Sequence, residues 1–149
     1  MQPTIQNLPA LRLIGIEMRY AFGGIAAIPN QWQDFAQRIP TLAPVNAMTY
    51  GVMMEADEDG FAYLSAVECA PGFVTPPGLS ELTLTPNRYA VFEHNQHVST
   101  LSTTCDLIWS EGLHSAGLMA KPGPWFERYG SNFDPAAGLG EIEIWIPLA

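Results

Sequence analysis

Carboxylates set among large aromatics are the part of this sequence best suited to chemistry. They gather in Gly123–Leu148, GPWFERYGSNFDPAAGLGEIEIWIPL, which reads as two strands joined by a turn-rich loop. Side chains alternate between the two faces of a strand. In the first strand Trp125, Glu127 and Tyr129 therefore share a face. In the second, Ile142, Ile144 and Ile146 take one face and Glu141, Glu143 and Trp145 the other. The pattern predicts an apolar back and a front of carboxylates and aromatics. A carboxylate desolvated between rings has a raised pKa unless a cation pairs with it, and the rings add cation–π attraction. Such a front suits a hydrophobic or cationic small molecule. It also fits an ordinary exposed face, with Glu127 solvated and paired with an arginine such as Arg88.

Glu141 and Glu143 lie two residues apart on a strand, roughly 7 Å by the rise per residue. Carboxylates that close suggest acid/base work. The expectation is Glu141 in solvent and Glu143 in a groove. Trp145 is more telling, because an indole on that face needs a cover. Tyr50 and Tyr63 are strand aromatics that fit core or pocket equally. Trp109 sits on the rim of a helical stripe and leaves the same two readings open, whereas Trp32 is centred on its stripe and reads as core. His94, His97 and His114 show no metal-ligand spacing, and no G-x-S-x-G context supports a serine triad. No metal and no cofactor is expected. Cys105 falls on an apolar stripe and reads as an inert core thiol. Gly138-Leu139-Gly140 is a turn, not a phosphate loop.

The 149 residues fit one domain built from two small repeats, and 48% hydrophobic residues supply a core. Six Lys+Arg against fifteen Asp+Glu give a formal net charge of -9. No basic stripe is available for nucleic acid or an anionic membrane. No apolar run reaches membrane-spanning length, and the first residues lack the pattern of a signal peptide. Cys69 and Cys105, far apart and without CxxC spacing, are expected reduced, in a cytoplasmic protein.

Along the chain, residues 1–9 read as a lead-in and Leu11–Ala21 as a strand. A helix opens at an Asn30 N-cap and stops at Pro40, with Trp32, Phe35, Ala36 and Ile39 as its stripe. Met48–Glu55 and Phe61–Cys69 form a hairpin around Asp57–Gly60, where Gly60 is expected at positive φ. Pro71–Pro86 reads as a linker or flap. Arg88–His94 is a strand, about Val98 to Leu113 a helix striped by Leu101, Cys105 and Ile108, and the hairpin comes last. This order predicts an α+β fold: a duplicated β-α-β-β unit with pseudo-twofold symmetry, antiparallel sheets and two main helices around a central groove. Repeat one spans about 8–70, the linker 71–86 and repeat two about 87–149, all in a single domain, 1–149. Arg12–Glu17 echoes Arg88–Glu93, Trp32 echoes Trp109, and Tyr50-Gly51 echoes Tyr129-Gly130, at offsets of 76, 77 and 79. A groove at the axis is a natural ligand site.

Taken together, Tyr50–Val52, Tyr63–Glu68, Pro86–His94, Thr104–Glu111, Phe126–Tyr129 and Glu143–Pro147 resemble, in order and spacing, the GyrI-like small-molecule-binding domains. These bacterial domains are also called AraC-type or transcription activator effector-binding domains. The resemblance covers essentially the whole chain. It implies the duplicated β-α-β-β fold and multidrug binding, with hydrophobic, often cationic compounds held between the repeats by aromatic walls and one or two glutamates. Residue by residue, the central glutamate falls on Glu127 and a second on Glu143. The aromatics fall on Trp145, Tyr50 and Trp109, joined by Tyr129 and Tyr63 from the strand reading. Many members carry a helix-turn-helix for transcription regulation, and this chain reads as a stand-alone domain. The resemblance leaves two other functions open. One is hydrolysis of strained, cyclopropane-bearing toxins with Glu127 as base. The other is a protein partner, as in a gyrase modulator. A homodimer also stays open.

Overall fold

Strand alternation sets the architecture, and strand register decides what it positions. The computed structural model describes all 149 residues as eight antiparallel strands in one curled sheet, with two helices against one face. The strands are β1 (Thr4–Leu8), β2 (Leu11–Ala21), β3 (Thr49–Met54), β4 (Gly60–Glu68), β5 (Ser80–Leu84), β6 (Asn87–His94), β7 (Trp125–Tyr129) and β8 (Ile142–Pro147). Helix α1 (Ile28–Arg38) lies between β2 and β3, and α2 (Leu101–Leu107) between β6 and β7. The strand order is β1-β6-β8-β7-β3-β4-β2-β5.

The expected repeats are present, as β2-α1-β3-β4 and β6-α2-β7-β8. Two strands were missing from the sequence reading. The lead-in contains β1, and the stretch read as a linker or flap contains β5. Each precedes one repeat and pairs with the other: β1 with β6, β5 with β2. Arg12 anchors the second of these segments through Glu81, the Ala70 carbonyl and Thr75.

The pairings also fix which residues are equivalent. β1 and β5, 76 positions apart from Thr4 to Ser80, make matching pairings with β6 and β2. The same offset carries Thr49 of β3 onto Trp125 of β7. Gly51 and Glu127 are then equivalent, and they are also register partners across the β3–β7 pair, so they stand on the pseudo-twofold axis. The Tyr50/Tyr129 echo is not structural, because its offset of 79 places the two rings on opposite faces.

The sheet face that lacks helices curls around its own core of Leu11, Leu13, Tyr50, Val52, Leu64, Leu84, Tyr89, Val91, Phe126 and Trp145. The helical face packs Phe35 of α1 on Ile14 and Val67, and Leu101 and Cys105 of α2, with Ile108 just beyond it, on Ile142, Ile144 and Ile146. Helix α1 begins before Asn30, with Ala27 at the N-cap, because Pro29 fits the first turn. Gln31 is buried: its Nε2 donates to the carbonyls of Ile16 and Tyr63 at 2.8 and 3.1 Å, and its Oε1 accepts from Tyr20 Oη at 2.6 Å. These bonds fix α1, and with it the neighbouring Trp32, over β2 and β4.

Helix α2 continues into a wide π turn, Ile108–Gly112, and a last turn, Leu113–Ser115. Gly117, at φ +70°, ends it with paired bonds from Gly117 N–H to His114 O and Leu118 N–H to Leu113 O, a Schellman closure. Gly60 does not take positive φ; it is small because a Cβ would meet the Tyr20 carbonyl at 2.0 Å.

Candidate functional site

Glu127 occupies the middle of β7, beside Gly51 of β3 and Ile144 of β8. Its neighbours on that face are therefore the isoleucines, not Glu143 and Trp145. The front expected from alternation is split by the register of the last hairpin, which sets Arg128 opposite Glu143 and Phe126 opposite Trp145. Glu127, Tyr63, Tyr129 and Trp125 share the helical face, while Glu143, Trp145 and Tyr50 lie on the other.

On the helical face the carboxyl is held by a short hydrogen-bond chain. Tyr63 Oη donates to Glu127 Oε1 at 2.9 Å, and Tyr129 Oη donates to the same oxygen at 3.0 Å. Trp32 Nε1 donates to Tyr63 Oη at 3.0 Å. Oε2 takes no hydrogen bond and keeps contact with solvent. Gly51 makes the arrangement possible: a Cβ there would lie 2.1 Å from Tyr63 Oη and 2.7 Å from Glu127 Oε1. Ser65, the register partner of Gly51 on its other side, buries a hydroxyl with no partner.

Aromatic rings wall this carboxyl. Trp32 meets Tyr129 edge-on at 5.5 Å and Tyr63 at 6.4 Å. Farther out, Trp109 on the π turn meets Trp125 at 5.5 Å and is 44% exposed. Trp109 is therefore not core, and its contact is with Trp125, on the sheet face that carries Glu127.

No basic side chain pairs with Glu127. The ion pairs in the chain join Arg12 to Glu81, Arg19 to Asp57 and Arg128 to Glu143. Burial pushes the Glu127 pKa up to about 7, and the two phenol hydrogen bonds pull it only part of the way back. Tyr63 and Tyr129 are pushed well up, first by burial and then by the Glu127 charge. The Cys105 thiol is raised for the same two reasons.

The other face holds a paired charge. Arg128 donates to Glu143 Oε1 from Nε at 3.1 Å and Nη2 at 2.8 Å, and Trp145 Nε1 donates to that oxygen at 3.2 Å. The guanidinium lies 4.5 Å from the centre of the Trp145 ring, which stacks on Phe126 at 5.6 Å. Trp145 and Tyr50 are 0% and 1% exposed and belong to the curled core. The cover that Trp145 needed is thus its own sheet. Arg88, offered as a partner for Glu127, is exposed on β6, and the arginine that binds a hairpin carboxylate is Arg128. A cavity of about 410 Å³ opens on this face among Thr4, Gln6, Glu93 and Glu143, away from Glu127. Glu141 is exposed, as expected.

Two residues of the Glu127 site escaped the sequence reading. Trp32 is half-buried rather than core, with its indole N–H turned to Tyr63. Its echo of Trp109 across the repeats was the available signal. Gly51 had no local signal, because its need to be small appears only with the register. The buried His94 is structural: its ring nitrogens bond Thr104 Oγ1 at 2.7 Å and the His97 carbonyl at 2.9 Å, tying β6 to α2. No helix is long and apolar enough to cross a membrane.

Comparison with known proteins adds a family and solved structures of the same fold. The sequence model of the GyrI-like small molecule binding domain matches residues 1–149. The transcriptional regulator BrlR of Pseudomonas aeruginosa is 26% identical over 153 residues, covering 99% of this chain; the chain spans 56% of that regulator's length. Among solved structures, SAV2435 bound to tetraphenylphosphonium superposes with a TM-score of 0.74 at 22% identity, covering 100% of this chain and 94% of that one. An integron cassette protein of Vibrio cholerae superposes with a TM-score of 0.73 at 16% identity, covering 99% of this chain and 96% of that one.

Proposed function

The chain belongs to the GyrI-like small-molecule-binding family, and from that premise we propose that it captures hydrophobic, cationic organic molecules at Glu127, between α1 and α2. The observation that carries this reading is a largely buried carboxyl with no basic partner, one oxygen held by two phenols and the other without a hydrogen bond. Such a group lacks a counter-charge, and a lipophilic cation supplies one while Trp32, Tyr63, Tyr129 and the outer Trp125 and Trp109 take up its apolar surface. Charge selection rests on Glu127 alone, because Glu143 is neutralised by Arg128. The tetraphenylphosphonium held by the structurally similar SAV2435 is a ligand of this chemical class.

Calorimetric titration of tetraphenylphosphonium into wild type and Glu127→Gln tests the reading. The variant should bind at least about tenfold more weakly, which is about 1.4 kcal/mol of lost pairing. A neutral triphenylphosphine oxide should bind both proteins alike. Equal cation affinity in the two proteins would sink the reading. A second reading draws on the same carboxyl, whose pKa near 7 suits a general base. Hydrolysis of a strained or activated ligand, lost in Glu127→Gln, would distinguish a reaction from capture.

A further inference from the structure

We propose that Trp32 is a positioning residue for charge recognition: its indole N–H sets the direction of the hydrogen-bond chain, so that Tyr63 donates to Glu127 and does not accept from it. The inference rests on the reading of Glu127 as the cation-binding group, and names the side chain on the opposite repeat that prepares it.

The argument is one of donors and acceptors. An indole N–H only donates, and a phenol has a single proton to give. Trp32 Nε1 donates to Tyr63 Oη, so the Tyr63 proton goes to Glu127 Oε1, 2.9 Å away. Tyr129 donates to the same oxygen. Oε1 thus faces two donors, so a proton can sit only on the unbonded Oε2, and both phenols then point at a neutral, weaker acceptor. The carboxylate form is favoured against the burial that opposes it. Without the indole N–H, Tyr63 can turn its hydroxyl and accept a proton from a neutral Glu127 carboxyl. Trp32 is well placed for this duty, because the buried Gln31 beside it fixes α1 to the Ile16 and Tyr63 carbonyls.

Other groups around Glu127 do not compete for this role. β4 presents Tyr63, β7 presents Tyr129, and α2 presents the Cys105 thiol. β3 contributes Gly51, β8 contributes Ile144 and α1 contributes Trp32, none of which titrates. Both phenols and the thiol are held in their neutral forms by burial and by the Glu127 charge. The carboxyl is therefore the group that changes charge near neutrality.

The test follows the Glu127 side chain by carbon NMR in glutamate-labelled protein without ligand, its resonance assigned by its loss in Glu127→Gln. In Trp32→Phe the titration midpoint should rise by about half to one pH unit. Tyr63→Phe should raise it at least as far. Adding Trp32→Phe to Tyr63→Phe should raise it no further, since the indole acts only through the phenol. Tetraphenylphosphonium affinity of Trp32→Phe should fall about two- to fivefold further at pH 7 than near pH 9.5, where only the loss of indole contact area remains. An unmoved midpoint, a further rise in the double variant, or an affinity loss equal at all pH values would overturn the proposal. Absence of cation binding to wild type would remove the capture reading alone, and the NMR midpoints would still decide the role of Trp32.

Discussion

Glu127→Gln should reverse part of the pH dependence of folding. In the unfolded chain this carboxyl titrates near its ordinary value of 4.5, and in the folded protein near 7. Between those values the folded state binds more protons than the unfolded state. Stability therefore falls as pH rises from about 4.5 to about 7, and stays at the lower level above that. At about 1.4 kcal/mol per pH unit, the whole span is on the order of 3 kcal/mol. Glutamine does not titrate, so the variant escapes this loss. Urea unfolding of both proteins from pH 5.5 to 8.5 keeps clear of the isoelectric point near 4.5 and still covers about 2 kcal/mol of the effect. The variant carries a constant offset from its altered hydrogen bonds. The informative quantity is the difference between the two proteins, which should shift toward the variant by about 2 kcal/mol as pH rises, at unchanged denaturant slope. Saturating tetraphenylphosphonium should stabilise wild type more at pH 8 than at pH 5.5. A stability difference that stays constant with pH would refute the account of Glu127 as a buried carboxyl without a counter-charge.

Gly51→Ala should cost about 1–3 kcal/mol in thermal or urea unfolding and abolish cation binding, because its Cβ displaces both Tyr63 Oη and Glu127 Oε1. Arg128→Met should destabilise by about 3 kcal/mol by leaving Glu143 without its cation. Its tetraphenylphosphonium affinity, measured by calorimetry, should stay within about twofold of wild type, since the pair lies on the opposite face. Both cysteines should resist a thiol reagent at pH 8 in the native protein and react together in urea, because burial covers them and raises their pKa values.

Much of the fold was legible because alternation and helical stripes are local. β2 runs over Leu11–Ala21 as its pattern predicts, and Phe35, Leu101, Cys105 and Ile108 are buried on their stripes. β1 and β5 were not legible because they are short edge strands with solvated residues between Pro-containing flanks, and edges need not alternate cleanly. Within the site, alternation tells which residues of one strand share a face. It does not tell which face of the neighbouring strand joins them. That depends on the register set by the loop between Tyr129 and Ile142, and a one-residue slip exchanges every side chain. Alternation thus groups Glu127 with Trp125 and Tyr129, but it cannot show that Glu143 and Trp145 lie on the other face of the sheet. Trp32 was read as core because a stripe cannot reveal that an indole nitrogen faces a phenol.

The place of Gly51 and Glu127 on the axis has an evolutionary implication. A homodimer of identical half-chains must put the same residue on its twofold axis in both copies. At this position it would hold two glycines, with no charge, or two glutamates about 5 Å apart at the Cα atoms, which could not both stay ionised. Joining the halves in one polypeptide frees the axis from that constraint. One half can give up its side chain while the other keeps a single negative charge, centred beneath aromatics contributed by both. Tandem fusion is therefore a precondition for a site that is nearly symmetric in shape and asymmetric in charge.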